Sequence, residues 1–486
     1  MSGGPSTAVR MGTVDGRRVL AATILASGMA GLDMTVVNVA LPRIGRDLHA
    51  GFTSLQWVVN AYALTLSSLL LLGGALGDRL GRRRLLVVGT VWFAAASVGC
   101  AVAPSSGVLI GMRGLQGIGA ALLMPGSLAI LESVFVVEDR GAAVGAWSGL
   151  GGVATALGPV LGGWLVQSAS WRWVFIINAP LAVVVVWLAR GIPETEVDPR
   201  GATGLDALGA ALAAIGLGGA VFGLTEGPAR HWPALDVALL VAGVLVLAAF
   251  VWREAHHEDP LVPLDLFNNR QFSATNLVTF IVYAALSGAL FLLPLVLQRV
   301  SGFSPVKAGS SLLPVTAVML VLSARAGRLA QRIGPRLPMT VGPIVVGGGL
   351  LLETRIGAHA SYLTDVLPAL LVFALGLSLT VAPLTATVLG AAPDRLAGVA
   401  SAINNDVART AGLVAVAVLP AIAGISTAAA LPAATLAHGF RVAMTVSAGL
   451  CALGGVVSLL TVTDPLHAHE PPTPEPTRCP VSQPGG

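Results

Sequence analysis

Long apolar runs recur from one end of this sequence to the other, each of about 18 residues or more. An α-helix rises about 1.5 Å per residue, so a run of this length crosses the roughly 30 Å hydrocarbon core of a bilayer. Hydrophobic residues make up 55% of the 486 residues and charged residues only 11%, whereas soluble domains carry roughly 25% charged residues. The sequence therefore predicts an all-α polytopic membrane protein without a large soluble domain.

The hydropathy pattern predicts about fourteen transmembrane helices. In chain order they are 19-41, 54-76, 85-103, 107-131, 142-166, 173-190, 205-224, 235-252, 273-297, 308-326, 338-353, 365-389, 398-424 and 439-461. The run at 338-353 gives the weakest signal, because it is short and continues into Glu353 and Arg355. The first run has no small-residue cleavage site with a mature domain behind it, so we expect a retained helix and not a signal peptide.

Basic residues are divided unequally between the two sets of alternating loops. With the N-terminus inside, 18 of the 28 Lys and Arg residues fall in inner segments and 8 in outer segments. The positive-inside rule then places both termini in the cytoplasm, and it explains the net charge of +4 without nucleic acid binding. The bias toward arginine and alanine indicates a bacterial cell, whose inner or plasma membrane would hold the protein. Residues 1-18 form a cytoplasmic N-terminal tail, and the Pro-rich residues 464-486 are expected to be disordered.

An aspartate, Asp33, lies inside the first predicted helix, in the stretch AGLDMTVVNVALP. It is about nine residues, or roughly 13 Å, from the outer end of the helix at Pro42. At that depth a carboxylate costs on the order of 2.5 to 3.5 kcal/mol, so it should face a bundle interior or a watery cavity. Asp33 is therefore a candidate for proton or substrate binding, and the alternative is a structural carboxylate that a neighbour satisfies.

Two polar residues lie at matching depth, Asn60 in the second predicted helix and Arg113 in the fourth. Gln116 extends the face of Arg113 by one helical turn. Equal depth permits a contact with Asp33 but does not establish one. If Arg113 approaches Asp33, its charge favours the ionised carboxylate while apolar burial disfavours it, and the balance decides whether Asp33 exchanges protons. Removing either partner would leave the other charge uncompensated.

An arginine-rich turn, GALGDRLGRRR, follows the second predicted helix. Arginine satisfies the positive-inside rule, but a carboxylate does not, and Asp78 can hold arginines or helix N-termini in one state and release them in another. The candidate cytoplasmic gate is Gly74, Asp78, Arg79, Gly81, Arg82 and Arg83. A related stretch, GRLAQRIGPR at 327-336, leaves the tenth predicted helix. This echo predicts two related halves, unless two arginine-rich loops resemble each other by chance.

Glycines crowd the fifth predicted helix, in GAWSGLGGVATALGPVLGGW. Small residues four apart let helix backbones approach closely, and proline kinks a helix. The candidate antiporter motif is Gly149, Gly158, Pro159, Gly162 and Gly163. The fragment GLGGVA also mimics a dinucleotide-binding fingerprint, but no strand precedes it, so we reject that match.

In the thirteenth predicted helix, Asp406 and Arg409 lie one turn apart in SAINNDVARTAG. They could pair along their own helix or contribute to a cavity. Polar and aromatic residues at suitable positions complete the set of cavity-lining candidates, which is Asn38, Trp57, Asn60, Tyr62, Gln116, Tyr283, Asn405, Asp406 and Arg409.

Enzyme signatures are missing from the sequence, which has no HExxH, GxSxG or Walker motif. Cys100, Cys451 and Cys479 do not have the spacing of a zinc site, so we expect no metal and no cofactor. Without a Walker motif this chain does not itself use ATP. Its energy must come from an ion gradient or from the gradient of its substrate.

Taken in order, these motifs resemble those of the fourteen-span drug/proton antiporters of the major facilitator superfamily. The first-span motif reads LDMTVVNVALP here, the second-span pattern WVVNAYAL, the fourth-span motif RGLQGIGAALLMP and the antiporter motif ALGPVLGGW. WRWVFIINAP, PLVPLDLF and SGFSPVKAGSSLLP are similar to the connecting segments of that family. Each match alone is weak, but all of them in order are specific and cover nearly the whole chain apart from the tails.

The resemblance implies two six-helix bundles, at 19-190 and 273-463, with two inserted transmembrane helices and their linkers at 191-272. It also implies alternating access by rocking of the bundles around a central cavity. Roles carried over residue by residue are substrate or proton recognition for Asp33, proton coupling for Arg113, gating for Asp78 and Arg82, and the antiporter motif for Gly158, Pro159 and Gly162. Two residues depart from the family pattern, Gln331 where the second gate often has an acid, and Asp406.

These observations predict a proton-driven exporter of lipophilic drugs or antibiotics, with cations among the candidates. Proton and substrate would compete for Asp33. The expected partners are a small lipophilic molecule, protons and the lipid bilayer, with no nucleic acid, and the chain is expected to be a monomer. Two alternatives stay open: a dedicated exporter of one endogenous metabolite, siderophore or self-made antibiotic, and a membrane sensor or intramembrane enzyme that does not transport.

Overall fold

The computed structural model describes residues 9–194, 206–257, 260–393, 396–425 and 432–464. Fourteen apolar helices occupy these ranges, so the predicted all-α fold and number of helices are confirmed. Their bounds are α1 Val14–Asp47, α2 Phe52–Leu80, α3 Arg82–Ala101, α4 Ser106–Val134, α5 Val137–Ser168, α6 Trp173–Ala189, α7 Ala207–Ala229, α8 Ala234–Glu254, α9 Arg270–Arg299, α10 Pro305–Ile333, α11 Arg336–Glu353, α12 Tyr362–Gly390, α13 Ala397–Ile422 and α14 Ala433–Thr461. The predicted disordered tail lies almost wholly in 465–486, outside the described residues.

Two of the helices are interrupted, and a proline explains each break. Helix α6 consists of Trp173–Ile176 and Asn178–Ala189, and α10 consists of Pro305–Ser310 and Leu313–Ile333. Proline has no N–H to bond the carbonyl four residues earlier, and its ring clashes with that carbonyl. Pro180 and Pro314 stand four residues after the last residue of the first segment in α6 and α10, so each break lies where a hydrogen bond is missing.

The two halves of the chain, α1–α6 and α9–α14, pack together at only one end. That end, which we call the sealed end, has a single apolar core with residues from both halves, including Val36 and Phe52 from the first and Phe291 and Phe303 from the second. At the other end, which carries the arginine-rich turns and which we call the arginine-rich end, each half has its own core. The space between the halves is therefore closed at the sealed end and open at the arginine-rich end.

Side-chain amides join the halves across the sealed end. Gln56 of α2 donates to the carbonyl oxygen of Val416 in α13 at 2.7 Å, and Gln298 of α9 donates to that of Val39 in α1 at 2.9 Å. The carbonyl of Val416 is available because the residue four positions later is Pro420, which has no N–H. The rings of Phe52 and Phe291 meet edge to face with their centroids 5.9 Å apart.

Helices α7 and α8 form the inserted pair. Helix α7 packs along both α2 and α13, whereas α8 packs mainly against α7. At the arginine-rich end of the pair, Asp206 caps α7 by accepting from the N–H of Gly209 at 2.8 Å and pairs with Arg253 of α8 at 2.7 Å. Burial raises the pKa of Asp206, but the bonds from Arg253 and Gly209 lower it by more, so its pKa lies below the usual value.

Candidate functional site

The carboxylate of Asp33 is fully buried inside the first half, where four helices meet. Its Oδ2 accepts a hydrogen bond from Nη1 of Arg113, which is also its ion-pair partner. Its Oδ1 accepts from Nε2 of Gln116 at 2.9 Å and from Nδ2 of Asn178 at 3.0 Å. Three N–H donors therefore surround one carboxylate, an arrangement that stabilises its ionised form.

Arg113 is only 1% exposed and has partners besides Asp33. Its Nε donates to the carbonyl oxygen of Val58 at 3.0 Å, and its Nη1 donates to Oε1 of Gln116 at 2.7 Å. The guanidinium also lies over the ring of Tyr62, 4.2 Å from the ring centroid, in a cation–π contact. A buried guanidinium of this kind keeps two oxygen acceptors and an aromatic face even without the carboxylate.

Close packing of α4 brings these groups together. A Cβ on Gly119 of α4 would meet the backbone nitrogen of Phe93 in α3 at 2.7 Å, so only glycine permits this approach. Asn178 is the first residue after the break in α6, which positions its amide beside Asp33. Ser97 of α3 completes the network, because it accepts from Asn178 at 3.0 Å and donates to the carbonyl oxygen of Phe175 at 2.9 Å.

Asn178 and Ser97 were missed by the sequence analysis, although the stretch WRWVFIINAP contained the asparagine. Both are fully buried polar residues in apolar helices. The usable signal was an amide within a predicted membrane span, since polar side chains there usually have a bonding or functional role. Nothing in the sequence showed which face of α6 points toward α1.

Three of the predicted cavity-lining residues are buried in this conformation. Asn60, Tyr62 and Gln116 are at most 1% exposed. Gln116 belongs to the Asp33 network, and Tyr62 lies against Arg113 and donates to the carbonyl oxygen of Ala30 at 3.3 Å. Trp57 instead donates to Glu226 of the inserted helix α7 at 2.8 Å. Hydropathy gives depth in the membrane but not the direction around the helix axis, so the sequence could not distinguish these buried positions from exposed ones.

The remaining cavity candidates are partly or fully accessible. Asn38 and Tyr283 are half-buried, and Asn405 is exposed. The Oδ1 atom of Asn38 is buried and lacks a hydrogen-bond partner. In the described part of the chain Asp406 and Arg409 form no ion pair, although each is half-buried. The one-turn spacing permitted that pair, and the long side chain of Arg409 extends elsewhere.

Arg409 reaches from α13 across the open space to the first half. Its Nη1 lies 3.6 Å from the sulfur of Met34 and its Nη2 lies 3.5 Å from the sulfur of Met124. Thioether sulfur is a weak acceptor, so these contacts hold the guanidinium loosely. Met34 adjoins Asp33 in α1, which makes Arg409 the cation of the second half that approaches the buried pair.

The gate turn is bonded to its own half. Asp78 accepts from Nε and from Nη2 of Arg82, each at 2.9 Å, and Arg82 donates through Nη1 to the carbonyl oxygen of Ala129 in α4 at 2.7 Å. Gly81 ends α2 with φ +94°, a conformation that favours glycine. Gly74 faces Pro125 of α4, and the side chains of Arg79 and Arg83 are half-buried.

The second arginine-rich turn repeats this geometry. Gly334 has φ +88°, close to that of Gly81. A Cβ on Gly81 would meet the carboxyl carbon of Glu194 at 3.1 Å, and a Cβ on Gly334 would meet the Cβ of Asp464 at 2.9 Å. Each acid follows the last helix of its half, so the two turns share this local geometry.

The glycines of α5 divide into two groups. Gly158 and Gly162 pack on α1, where a Cβ would lie 3.1 Å from the Leu32 oxygen and 3.0 Å from the Val36 oxygen respectively. Gly163 packs on α10, where a Cβ would lie 2.8 Å from the carbonyl carbon of Pro305. Gly149 has nothing within 4 Å, so in this conformation it packs against no neighbour. Pro159 contributes its carbonyl to the approach of Gly309 on the same seam.

A family model supplies the decisive comparison, because the Major Facilitator Superfamily matches residues 23–417. This chain belongs to that superfamily. The puromycin resistance protein pur8 of Streptomyces alboniger is 35% identical over 89% of this chain and 88% of its own length. The methylenomycin A resistance protein of Bacillus subtilis is 36% identical over 83% of this chain and 87% of its own length. The tetracenomycin C resistance and export protein of Streptomyces glaucescens is 34% identical over 80% and 73%.

Solved structures agree with the fold. A D-xylose-proton symporter superposes with a TM-score of 0.66 at 17% identity and covers 92% of this chain and 98% of its own. A peptide transporter superposes with a TM-score of 0.68 at 13% identity and covers 94% and 96%. At these identities the likeness shows the fold alone. The protein is therefore an integral membrane protein with the major facilitator fold, as the sequence motifs predicted.

The described residues contain no group of three or more His, Cys, Asp or Glu residues that could hold a metal ion. The network at Asp33 consists of a carboxylate, a guanidinium and two amides, with the hydroxyl of Ser97 and the thiol of Cys100 beside them.

Proposed function

We propose that this protein exports lipophilic drugs or antibiotics in exchange for protons. The observation that carries the proposal is the buried carboxylate of Asp33, which is surrounded by three N–H donors inside the first half. A membrane-embedded acid that is fully paired in one conformation can carry a proton in another. Export as the direction is supported by the names of the relatives, which are resistance and export proteins.

The open end is proposed to face the cytoplasm. The arginine-rich turns lie at this end, and the positive-inside rule places such segments in the cytoplasm. Fourteen helices then bring both ends of the described chain to the same side. In this assignment the structure is an inward-open state whose extracellular end is sealed.

The Asp33 network fits the step after proton release. In the inward-open state Arg113 lies against Asp33, and neutralising the carboxylate would leave the guanidinium buried without its counter-charge. The pair therefore drives the proton off toward the cytoplasm. In the outward-open state we expect α1 and α4 to separate enough for Asp33 to accept a proton from outside, and return to this geometry releases it.

Small lipophilic molecules are the proposed cargo. Met34 and Met124 offer flexible apolar contacts at the boundary of the open space, and thioether side chains adapt to varied shapes. Arg409 and Asp406 place one cation and one acid there, so cargo with a neutral polar or zwitterionic group fits at least as well as a simple cation. No cofactor is proposed, because the proton gradient supplies the energy.

Transport in everted membrane vesicles tests the proposal. Vesicles that contain the protein should accumulate puromycin, methylenomycin A or ethidium when their lumen is acidified, and a protonophore should abolish the uptake. Asp33→Asn should remove proton-driven uptake because it removes the proton carrier. The matched control is Asp15→Asn, which changes an exposed acid of the same helix that pairs only with Arg18 at 3.6 Å.

The outcome that contradicts the proposal is full proton-driven uptake of every probe by Asp33→Asn. Probe uptake that resists the protonophore would contradict proton coupling in the wild type as well. If Asp15→Asn also loses uptake, the loss in Asp33→Asn cannot be assigned to the buried carboxylate, because an exposed acid of the same helix gives the same defect.

A dedicated exporter of one antibiotic is the second candidate. It is favoured by the names of three relatives, which each refer to a single compound: puromycin, tetracenomycin C and methylenomycin A. A broad panel separates the two candidates, because a multidrug exporter takes up several unrelated probes and a dedicated exporter takes up one. A sensor or enzyme that does not transport would move none of them.

A further inference from the structure

One oxygen in the Asp33 network has no partner. Asn178 is fully buried, and its Nδ2 donates to Oδ1 of Asp33 and to Oγ of Ser97, each at 3.0 Å. Its Oδ1 atom is buried and has no hydrogen-bond partner among the described residues. A buried amide oxygen without a partner is costly, so its presence beside a proton-carrying acid requires an explanation.

Protonation of Asp33 changes what its neighbours must do. The ionised carboxylate only accepts hydrogen bonds, whereas the protonated acid also has an O–H donor. Gln116 cannot easily serve that donor, because its Oε1 already accepts from Nη1 of Arg113 at 2.7 Å and lies 3.6 Å from the sulfur of Cys100. Asn178 differs because a half-turn of its amide exchanges the positions of Nδ2 and the unpartnered Oδ1.

We infer that Asn178 is a positioning residue for the proton of Asp33. The amide of Asn178 donates to the ionised carboxylate and rotates by a half-turn to accept from the protonated acid. The inference rests on the proposed proton coupling. In the ionised state the amide stabilises the carboxylate from the side opposite Arg113. In the protonated state it gives the acid O–H an acceptor, which the guanidinium of Arg113 cannot offer.

The charged and titratable groups that face Asp33 come from three other helices. They are Arg113 on α4, Tyr62 on α2 and Cys100 on α3, with Arg409 of α13 beyond Tyr62. Helix α6 contributes only the amide of Asn178 to the carboxylate. Because every other group is unchanged in variants of Asn178, a shift in the protonation of Asp33 reports on the amide.

Infrared titration of the full-length protein in proteoliposomes tests this without any cargo. The carbonyl band of a protonated carboxylic acid is followed as the pH is raised, and its absence in Asp33→Asn assigns it to Asp33. In Asn178→Leu the ionised form loses a donor and the protonated form loses an acceptor, at nearly constant volume. The bond to the charged form is the stronger of the two, so the band should persist to a pH about one unit higher, which corresponds to about 1.4 kcal/mol. Asn178→Ser retains one hydroxyl donor, so the midpoint pH of its band should lie between those of the wild type and Asn178→Leu.

A second infrared band reports the rotation of the Asn178 amide itself. In protein labelled with carbon-13 in its asparagine side chains, acidification should shift one amide carbonyl band, because a free oxygen becomes hydrogen-bonded. That shift should be missing from Asn178→Leu and from Asp33→Asn. Asn276→Leu is the matched control, since Asn276 is a buried amide in the second half that bonds the carbonyl of Phe272 at 2.9 Å.

The possible results are distinct. An unchanged or lowered midpoint in both Asn178 variants overturns the inference while the proton site at Asp33 stands. If no titrating band is lost in Asp33→Asn, both the inference and the proposed proton site are overturned. An equal upward shift in Asn276→Leu would mean that loss of any buried amide is sufficient, which also overturns the role of Asn178. If Asn178→Leu does not fold, the Asn178→Ser titration decides.

Discussion

Loss of the two glutamine bridges at the sealed end should open that end. Gln56 and Gln298 cross the seam in opposite directions and bond the carbonyl oxygens of Val416 and Val39 at 2.7 and 2.9 Å. These bonds cannot persist once the halves separate at this end. We predict that Gln56→Leu combined with Gln298→Leu shifts the protein from the conformation described here toward one that is open at the sealed end.

The expected shift follows from the number of bonds. The Gln298 bridge contributes its net value of about 0.5 to 1.5 kcal/mol, whereas loss of Gln56 leaves the carbonyl of Val416 unpaired in the sealed state and costs about 1 to 3 kcal/mol. Losing both should change the balance between the two conformations by about 1.5 to 4.5 kcal/mol, or about 10- to 2,000-fold. Leucine fills a volume similar to that of glutamine, so apolar packing such as the Phe52–Phe291 contact should be largely retained.

Spin labels at the sealed end can measure the shift by double electron–electron resonance. Val102 after α3 and Ala358 after α11 are exposed and belong to different halves, so cysteines placed there report the separation of the halves. The natural Cys100 and Cys451 are buried and should not react with the label, and Cys479→Ser removes the third cysteine. The double leucine variant should gain a population at longer distance.

Gln271→Leu provides the control. Gln271 donates to the carbonyl oxygen of Thr463 at 3.1 Å, within the second half and at the arginine-rich end. The same chemical change there should leave the sealed-end distances unaltered. The reasoning is refuted if the double variant keeps the wild-type distance distribution, or if Gln271→Leu produces the same longer population.

Two further predictions concern packing and pH. Gly163→Val should abolish efflux, because its Cβ would clash with Pro305 across the seam and prevent the sealed end from closing. Gly149→Val should retain most activity, because nothing lies within 4 Å of a Cβ there. Uptake into everted vesicles measures the efflux activity of both variants. The stabilising charge of Asp206, whose pKa is lowered, is present above the pKa of the unfolded chain and is lost as the pH falls through the folded value. As the pH falls through that range, the melting temperature of the wild type in detergent should therefore decrease by more than that of Asp206→Asn.

The sequence was sufficient for the number and type of helices, because runs of 18 or more apolar residues have few alternatives in a membrane protein. It also permitted a contact between Asp33 and Arg113, since both lay at the same depth, but it did not establish one. The breaks in α6 and α10 had a visible cause in Pro180 and Pro314, but a hydropathy window averages over a single missing bond.

The direction of each side chain around its helix axis was the information that the sequence did not contain. Depth alone made Tyr62 and Gln116 equally good cavity candidates, yet both face the interior of the first half. Asn178 could be assigned only after α6 was positioned against α1. The reach of Arg409 to Met34 depends on how the two halves approach each other, which no pattern within one helix specifies.

Helix α7 of the inserted pair lies against α2 of the first half and α13 of the second, so its contacts must decide with which half the pair moves. Its polar bond is to the first half, through Trp57 and Glu226 at 2.8 Å, while Val221 meets Leu413 of α13 in an apolar contact. An apolar contact can slide without leaving polar groups unpaired, whereas a partly buried hydrogen bond cannot. The pair should therefore move with the first half. Label distances from α7 to α2 should stay constant when the sealed end opens in the double leucine variant, and those from α7 to α13 should change; the reverse pattern would assign the pair to the second half.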